Sequence, residues 1–535
     1  MEFKFRVSVV GLVIAFVATF RTPDVNAQSA SSVAQLEARI RAARSSCVKI
    51  ISGSDHSSGV IVSRSGHVLT VAHGLRADTE TAHILLPDRR TAVADVILRN
   101  ASADVVLLKL NEPMDLPGSW VATSATTSIE ELSKNGVVFA LGFPASSHEA
   151  SVPVCRLGSL AATSNSVLRT TCILTAGDSG GPLFDANGRL LAIHQKIGPA
   201  RGLNLHLPLA NCRKSLGSAG NIIEGVKANS SFVRTLSELE SELARPASDL
   251  TLKLLDASTK QTAALATRVT RDVAVTKASL IRPDTELLAT PFDSESGARP
   301  WPLRVLGRIG PDDLLLLKID VDATDSFRAL PLAARSAEWG EIIWSPVGHR
   351  LSIVGRTDLQ VSSGQVSLGC RLDQRPTGLW VARVSPNSTA AAADLQPGDR
   401  LVSLGGHKVN GFNDLQEFLQ PLEPGDWVGF RFQRGSEFRS TASQLQSSGD
   451  RALSRAEYLD GRAGNLSVRR SGFSDVFQHD GLQSPEQMGT PVFSADGRLM
   501  GINIARRTRE AVLVIPIERI LKHVSEVESG KGIDR

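Results

Sequence analysis

The sequence predicts a mainly β protein of several domains, and three observations carry that expectation. Short apolar runs of strand length, separated by turn residues, recur from Cys47 onward. Two of these segments are echoed further along: Phe184-Asp185-Ala186-Asn187-Gly188-Arg189-Leu190-Leu191-Ala192-Ile193 by Phe493-Ser494-Ala495-Asp496-Gly497-Arg498-Leu499-Met500-Gly501-Ile502, and Asp104-Val105-Val106-Leu107-Leu108-Lys109-Leu110 by Asp313-Leu314-Leu315-Leu316-Leu317-Lys318-Ile319. A chain of 535 residues also exceeds one ordinary domain; at about 150 residues each it suggests three or four.

The N-terminus carries Lys4 and Arg6, the apolar run Val7 to Phe20, then Val25-Asn26-Ala27, the pattern of a secretory signal ending after Ala27. The run is short for a membrane span, and none is expected after cleavage. Export, to a periplasm or out of the cell, implies an oxidising compartment in which the five cysteines can pair. Cys155 and Cys172 flank a predicted hairpin and could face each other, but connectivity is not readable and an odd count leaves one thiol over. A net charge of +4 without a Lys/Arg stripe sets nucleic acid aside.

Behind Ser32, Val33, Leu36, Ile40 and Ala43 have helical spacing, with Gln35 completing a capping box. Six strands follow: Val48 to Ile51, Gly59 to Val62, Val68 to Ala72, Ile84 to Leu86, Val93 to Leu98 and Val105 to Leu110, enough for a small antiparallel barrel. A second set runs from Val137-Val138-Phe139-Ala140 through Val152-Pro153-Val154, Val167-Leu168, Leu183-Phe184 and Leu190 to Ile193, ending near Leu207-Pro208, with Ala186-Asn187-Gly188 as a hairpin turn. Ser215 to Ser231 reads as a linker. Phe232, Leu236, Leu239 and Leu243 then form a helical pattern, and Leu250 to Leu255 a strand.

The chemistry centres on Thr175-Ala176-Gly177-Asp178-Ser179-Gly180-Gly181-Pro182, a backbone that exposes one hydroxyl and leaves room for a substrate. Serine is a weak nucleophile at neutral pH and needs a histidine to take its proton and a carboxylate to fix that histidine's tautomer. His73, closing an apolar strand, and Asp104, opening another, are the candidates. In order and local context, His73, Asp104 and Ser179 resemble the triad of the trypsin-like serine proteases. The resemblance implies a two-barrel domain with the triad in the cleft, an oxyanion hole made by the amides of Gly177 and Ser179, and Ile173, six residues before the nucleophile, at the base of the primary specificity pocket. An aliphatic floor there favours small aliphatic side chains before the cut. No metal or cofactor is called for.

The first echoed pair lies 309 residues apart and the second 209, so about a hundred residues are inserted in the second copy. Aligning Ser179-Gly180-Gly181-Pro182 with Met488-Gly489-Thr490-Pro491 puts Met488 at the nucleophile, and aligning Leu69 with Leu287 puts Pro291 near the histidine; Asp313 alone survives. A thioether cannot be deprotonated to attack a carbonyl. This copy resembles an inactive trypsin-like domain.

Between Gly364 and Ser447, Ser367-Leu368-Gly369-Cys370 precedes Gly378 to Ser388, Ala390 to Ala393 and Leu395-Gln396-Pro397-Gly398-Asp399-Arg400-Leu401, which closely resembles a bacterial PDZ domain of α+β fold. The resemblance implies binding of peptide C-termini by strand addition, with Leu368, Gly369 and Cys370 as the carboxylate turn. Leu415 and Phe418, with Leu419 and Leu422, have the spacing of the helix that walls the groove.

A trypsin-like protease with a PDZ domain resembles the HtrA family. The expected layout is a signal at 1–27, a protease domain at 28–225, a degenerate trypsin-like domain at 230–363 and 448–535, and the PDZ domain at 364–447. This departs from the family's usual single protease followed by PDZ domains, which puts the family's trimer and its activation by PDZ ligands in doubt. The expected function is an exported serine endopeptidase acting on unfolded proteins and peptides or on proteins recognised by their C-termini. The alternative is a peptide-binding scaffold with an inactive protease domain. Oligomeric state is left open.

Overall fold

The computed structural model describes residues 26–53, 55–112, 116–125, 135–147, 150–164, 166–198, 203–223, 225–226, 235–243, 250–293, 300–321, 327, 332, 335–348, 350–447 and 466–530. All but the last two residues of the expected signal segment lie outside them. Within the described residues no helix is long and apolar enough to cross a membrane.

The six early strands close into a barrel in the order Cys47–Ser52, Asp55–Ile61, His67–Thr70, Val105–Leu110, Thr91–Asn100, Thr81–Leu85. Their alternating apolar residues, among them Val48, Ile50, Val68, Ile84, Val106 and Leu108, fill its interior. A second ring follows: Pro182–Asp185, Val137–Gly142, Val154–Thr163, Leu168–Thr170, Asn204–Pro208 and Leu190–Lys196, closed by pairing of its first and last strands.

Both strand orders then recur. Thr251–Asp256, Thr262–Arg268, Val273–Lys277, Leu314–Ile319, Trp301–Ile309 and Leu287–Pro291 repeat the first barrel; Ile342–Ser345, Arg350–Leu359, Val476–His479, Ala511–Pro516, Leu499–Thr508 and Pro491–Ser494 repeat the second. Equivalent aromatic pairs, Phe139 with Phe184 and Trp344 with Phe493, sit at the same ring separation of 5.1 Å.

The insert enters the repeat between Arg350–Leu359 and Val476–His479, where the first unit has only the turn between Val154–Thr163 and Leu168–Thr170. It forms a sheet of Cys370–Arg375, Gly378–Val384, Arg400–Leu404, Trp427–Arg434 and Glu437–Gln444, with helices Thr389–Ala392 and Phe412–Leu419. Its two chain crossings pair with each other, Val366 opposite Ser447 and Ser367 opposite Gln446.

The two double-barrel units share one apolar core that runs from Val33 and Leu36 through Phe139 and Leu157 to Ile353 and Ile520. Asp480 of the second unit accepts from the amides of Leu157 (2.7 Å) and Ile353 (2.8 Å), tying a strand of each unit to one buried carboxylate.

Several expectations are corrected. The first helix spans Asn26–Ala43, so Ser32 lies inside it. His73 does not end a strand; it sits in the 3-10 turn Ala72–Gly74 that follows His67–Thr70. Part of the expected linker is structured, with a 3-10 helix at Gly217–Ile222 and Gly225–Val226 paired to Ser124–Ala125. All five cysteines are free thiols. Cys155 packs into the core shared by the two units while Cys172 packs inside the ring, so the hairpin that brings them near turns them to different apolar clusters.

The largest correction concerns Pro291, which lies in strand Leu287–Pro291, the equivalent of Thr81–Leu85, far from the histidine position. Ser279 stands there instead. Its amide donates to Asp313 Oδ1 at 2.7 Å as His73's donates to Asp104 Oδ1 at 3.0 Å, each from a 3-10 turn after the third strand. Leu69 corresponds to the third strand of the repeat, Val273–Lys277, and not to the fourth, where Leu287 lies.

Candidate active site

Two turns bring the reactive side chains together. Asp104 adopts φ +56°, an unusual conformation that a short polar side chain tolerates, and this turns its carboxylate back toward the 3-10 turn at His73. Ser179 lies between Gly177 (φ +92°) and Gly180 (φ +84°). A Cβ on Gly180 would come within 2.1 Å of Thr70 Oγ1 and 2.3 Å of Ser58 O, so the turn needs glycine on both grounds.

His73 Nδ1 is 3.0 and 2.9 Å from the two oxygens of Asp104, and His73 Nε2 is 3.0 Å from Ser179 Oγ. A carboxylate can only accept, so Nδ1 carries the proton and Nε2 is free to accept from the serine hydroxyl. Burial pushes the Asp104 carboxyl up, but hydrogen bonds from the His73 side chain and backbone, the His73 charge and the Gln195 side chain outweigh it and hold it below the ordinary carboxylate range. It therefore stays ionised to stabilise an imidazolium.

The amides beside the nucleophile are aimed by a separate set of contacts. Ser58 stitches the loop from the first barrel: its amide donates to Ser179 O (2.9 Å) and its hydroxyl to Gly177 O (2.8 Å). Ala176 O accepts from the Ala145 amide at 2.7 Å. In a trans peptide C=O and N–H point opposite ways, so the Gly177 N–H is directed away from Ala145 and toward the cleft. No partner among the described residues takes up the Gly177 or Ser179 amide, which leaves both for a developing oxyanion.

Behind the loop, Asp178 and Arg156 form a fully buried ion pair of 2.8 Å, and Asp178 Oδ2 accepts from the Thr175 amide at 2.8 Å. Burial raises the Asp178 carboxyl to about 6 against the pull of Arg156. Ile173 is buried, adjoining this loop. Arg156, Gln195, Ser58 and Ala145 escaped the sequence reading; only the Gly-Asp pair before Ser179 hinted that a buried cation was needed.

The matching cleft of the second unit is built differently. Met488 is fully buried and Gly489 (φ +92°) occupies the place of Gly180, with Thr276 Oγ1 and Leu265 O crowding it as Thr70 and Ser58 crowd Gly180. Asp313 is held by Lys277 Nζ (2.5 Å) and Ser279 Oγ (2.8 Å), both buried. The inserted domain leans over this cleft, donating to Ser279 O from Trp427 Nε1 (3.1 Å) and Gln444 Nε2 (2.7 Å).

In the insert, Cys370–Arg375 is an edge strand that pairs only with Gly378–Val384; half-buried Leu415 and Phe418 of the helix Phe412–Leu419 pack against the domain core, with the Phe418 ring 5.3 Å from that of His407. Gly369 has φ +66°, and a Cβ there would meet Ser388 Cβ at 2.3 Å. Its amide already donates to the Ser367 hydroxyl oxygen at 3.0 Å, so an incoming carboxylate must displace that oxygen to use it. Leu368 is buried and Cys370 half-buried.

A trypsin-like peptidase domain model matches residues 57–193 and a PDZ domain model matches residues 366–444. The chain is 26% identical over 391 residues to a probable periplasmic serine endoprotease DegP-like of Marinomonas sp., covering 70% of this chain and 76% of that one. A protein of the same description from Hahella chejuensis is 24% identical over 399 residues, covering 69% and 76%. Superposition on the serine endoprotease from Yersinia pestis gives a TM-score of 0.30 at 16% identity over 77% of this chain and 98% of that one, too loose to bear on domain arrangement. Fold and matches together define the class: a serine endopeptidase of trypsin-like type that carries a PDZ domain. Within that class the chain is HtrA-like, similar to the DegP-like endoproteases.

Proposed function

We propose that the first double-barrel unit is the one catalytic domain and that Ser179 is its nucleophile. His73 Nε2 removes the hydroxyl proton as Oγ attacks a peptide carbonyl, Asp104 stabilises the imidazolium, and the amides of Gly177 and Ser179 receive the oxyanion. The imidazolium then protonates the leaving amine, and water repeats the sequence on the acyl-enzyme. The observation that carries this reading is the unbroken relay from Asp104 to Ser179 Oγ, with every link between 2.9 and 3.0 Å.

The substrates we infer are unfolded or C-terminally recognised proteins in the periplasm, where the relatives' names place them. The second unit, with Met488 and Ser279 at the nucleophile and histidine positions, is a non-catalytic mount for the PDZ domain. Removing a triad nucleophile costs on the order of 10⁶ in turnover. Ser179→Ala should therefore end cleavage of an unfolded protein, and the fragments left by the unaltered enzyme should end in small aliphatic residues, set by Ile173. Near-normal cleavage by the variant would remove Ser179 from the role, and cuts mainly after Lys or Arg would remove Ile173 from the pocket floor.

A further inference from the structure

The hairpin Leu499–Thr508 to Ala511–Pro516 of the second unit turns at Arg509 and Glu510. A two-residue hairpin turn of charged residues ordinarily faces water; here Arg509 is 2% exposed and Glu510 1%. Both are buried against the first unit. Arg509 Nη2 donates to Gly198 O at 3.2 Å, and Glu510 Oε1 accepts from Ser146 Oγ at 2.8 Å.

Ser146 is the middle residue of the 3-10 turn Ala145–Ser147. The residue before it supplies the amide that holds Ala176 O and so sets which way Gly177 N–H points. Space at that contact is tight: a Cβ on Gly177 would lie 2.8 Å from Ala145 N and 2.4 Å from Phe143 O. We propose that Glu510 is a positioning residue for the oxyanion hole, acting across the unit boundary through Ser146, Ala145 and Ala176 on the Gly177 amide. The proposal rests on the reading of Gly177 as an oxyanion donor.

Packing alone does not explain a glutamate there. A buried carboxylate is costly unless well paired, and Glu510 Oε2 finds no partner among the described residues. The electrostatic reach of Glu510 extends to Arg156 and Asp178 behind the same loop, raising the affinity of both for a proton. The carboxylate thus sits where the second unit can influence both sides of the nucleophile loop. The non-catalytic unit is then part of the catalytic apparatus of its neighbour.

The test uses the full mature chain and a short chromogenic peptide. Loss of one oxyanion donor typically costs about 10²- to 10³-fold in kcat; disordering its aim should cost less, about 10-fold or more. Glu510→Ala and Ser146→Ala are each expected to lower kcat by that factor with KM within about twofold. The double variant should be no worse than either single one, because both break one link. Glu510→Gln, which keeps an acceptor oxygen for Ser146, should recover most of the turnover. Affinity for a peptide boronate, whose adduct places an oxygen in the hole, should fall in step with kcat. Ser146→Ala removes only a hydroxyl from the first unit and guards against misfolding of the hairpin variant. Unchanged kcat in both single variants, additive losses, or a fall in KM-linked binding equal to that in kcat would overturn the proposal. Labelling by a fluorophosphonate keeps the two readings apart: if Glu510→Ala is still labelled at Ser179 on long exposure, the nucleophile assignment stands whatever the kinetics say of Glu510.

Discussion

At the scale of single residues, the buried histidines show how this fold fixes protonation. His194 Nε2 lies 3.1 Å from Leu141 O, which can only accept, so Nε2 carries the proton and Nδ1 is bare. His206 Nδ1, 3.0 Å from that atom, must donate, and its Nε2 accepts from Thr170 Oγ1 at 2.7 Å. Both rings are therefore neutral. Burial lowers His206 to about 3 and His194 well below its ordinary value, and burial lowers His479 of the second unit to about 4, where its Nε2 lies 2.8 Å from Asn503 Oδ1. These are bases with depressed folded pKa values, so their stabilisation is present above the unfolded value of 6.5 and is lost as pH falls below it. Each costs about 1.4 kcal/mol per pH unit on that side. Asp178, raised to about 6, works in the opposite direction between 6 and 3.8 and offsets part of the loss from the three buried rings. Urea midpoints should fall from about pH 6.5 to pH 4.5. A flat profile would mean these rings are hydrated and not buried.

At the scale of elements, what was legible depended on how local each determinant is. The six-residue strand Val105–Leu110 is legible to the residue, because an almost unbroken apolar run and the Asp104 before it are both contiguous. The nucleophile loop was legible for the same reason. The repeat of the third strand was misplaced because Val273–Lys277 shares only an apolar pattern with His67–Thr70, and a pattern of that length fits several strands of a barrel. Ser279 was lost with it. Contacts such as Ser146 to Glu510 span 364 residues, and nothing in either neighbourhood announces the other. An oxidising compartment permits cysteine pairing but does not impose it: a disulfide requires geometry, and Cys155 and Cys172, near each other along the hairpin, are turned into separate apolar clusters.

At the scale of the whole molecule, the PDZ domain is held by two paired chain crossings and docked over the Ser279 cleft of the second unit. If the domain recruits chain ends, as the proposed function has it, Leu368, Gly369 and Cys370 would take the terminal carboxylate. A labelled peptide ending in Val should bind at least about tenfold more tightly than its amidated form, since a charge-assisted hydrogen bond is worth about 1.5–3 kcal/mol. Equal affinities would exclude the carboxylate turn.

A chain with two double-barrel units but a single catalytic serine takes up one covalent label. Saturating the mature protein with a fluorophosphonate and locating the adduct by mass spectrometry of its peptides counts the reactive serines. One adduct per chain, on Ser179 and absent from Ser179→Ala, is the predicted result. An unlabelled chain, or an adduct on Ser279 in the second unit, would contradict it.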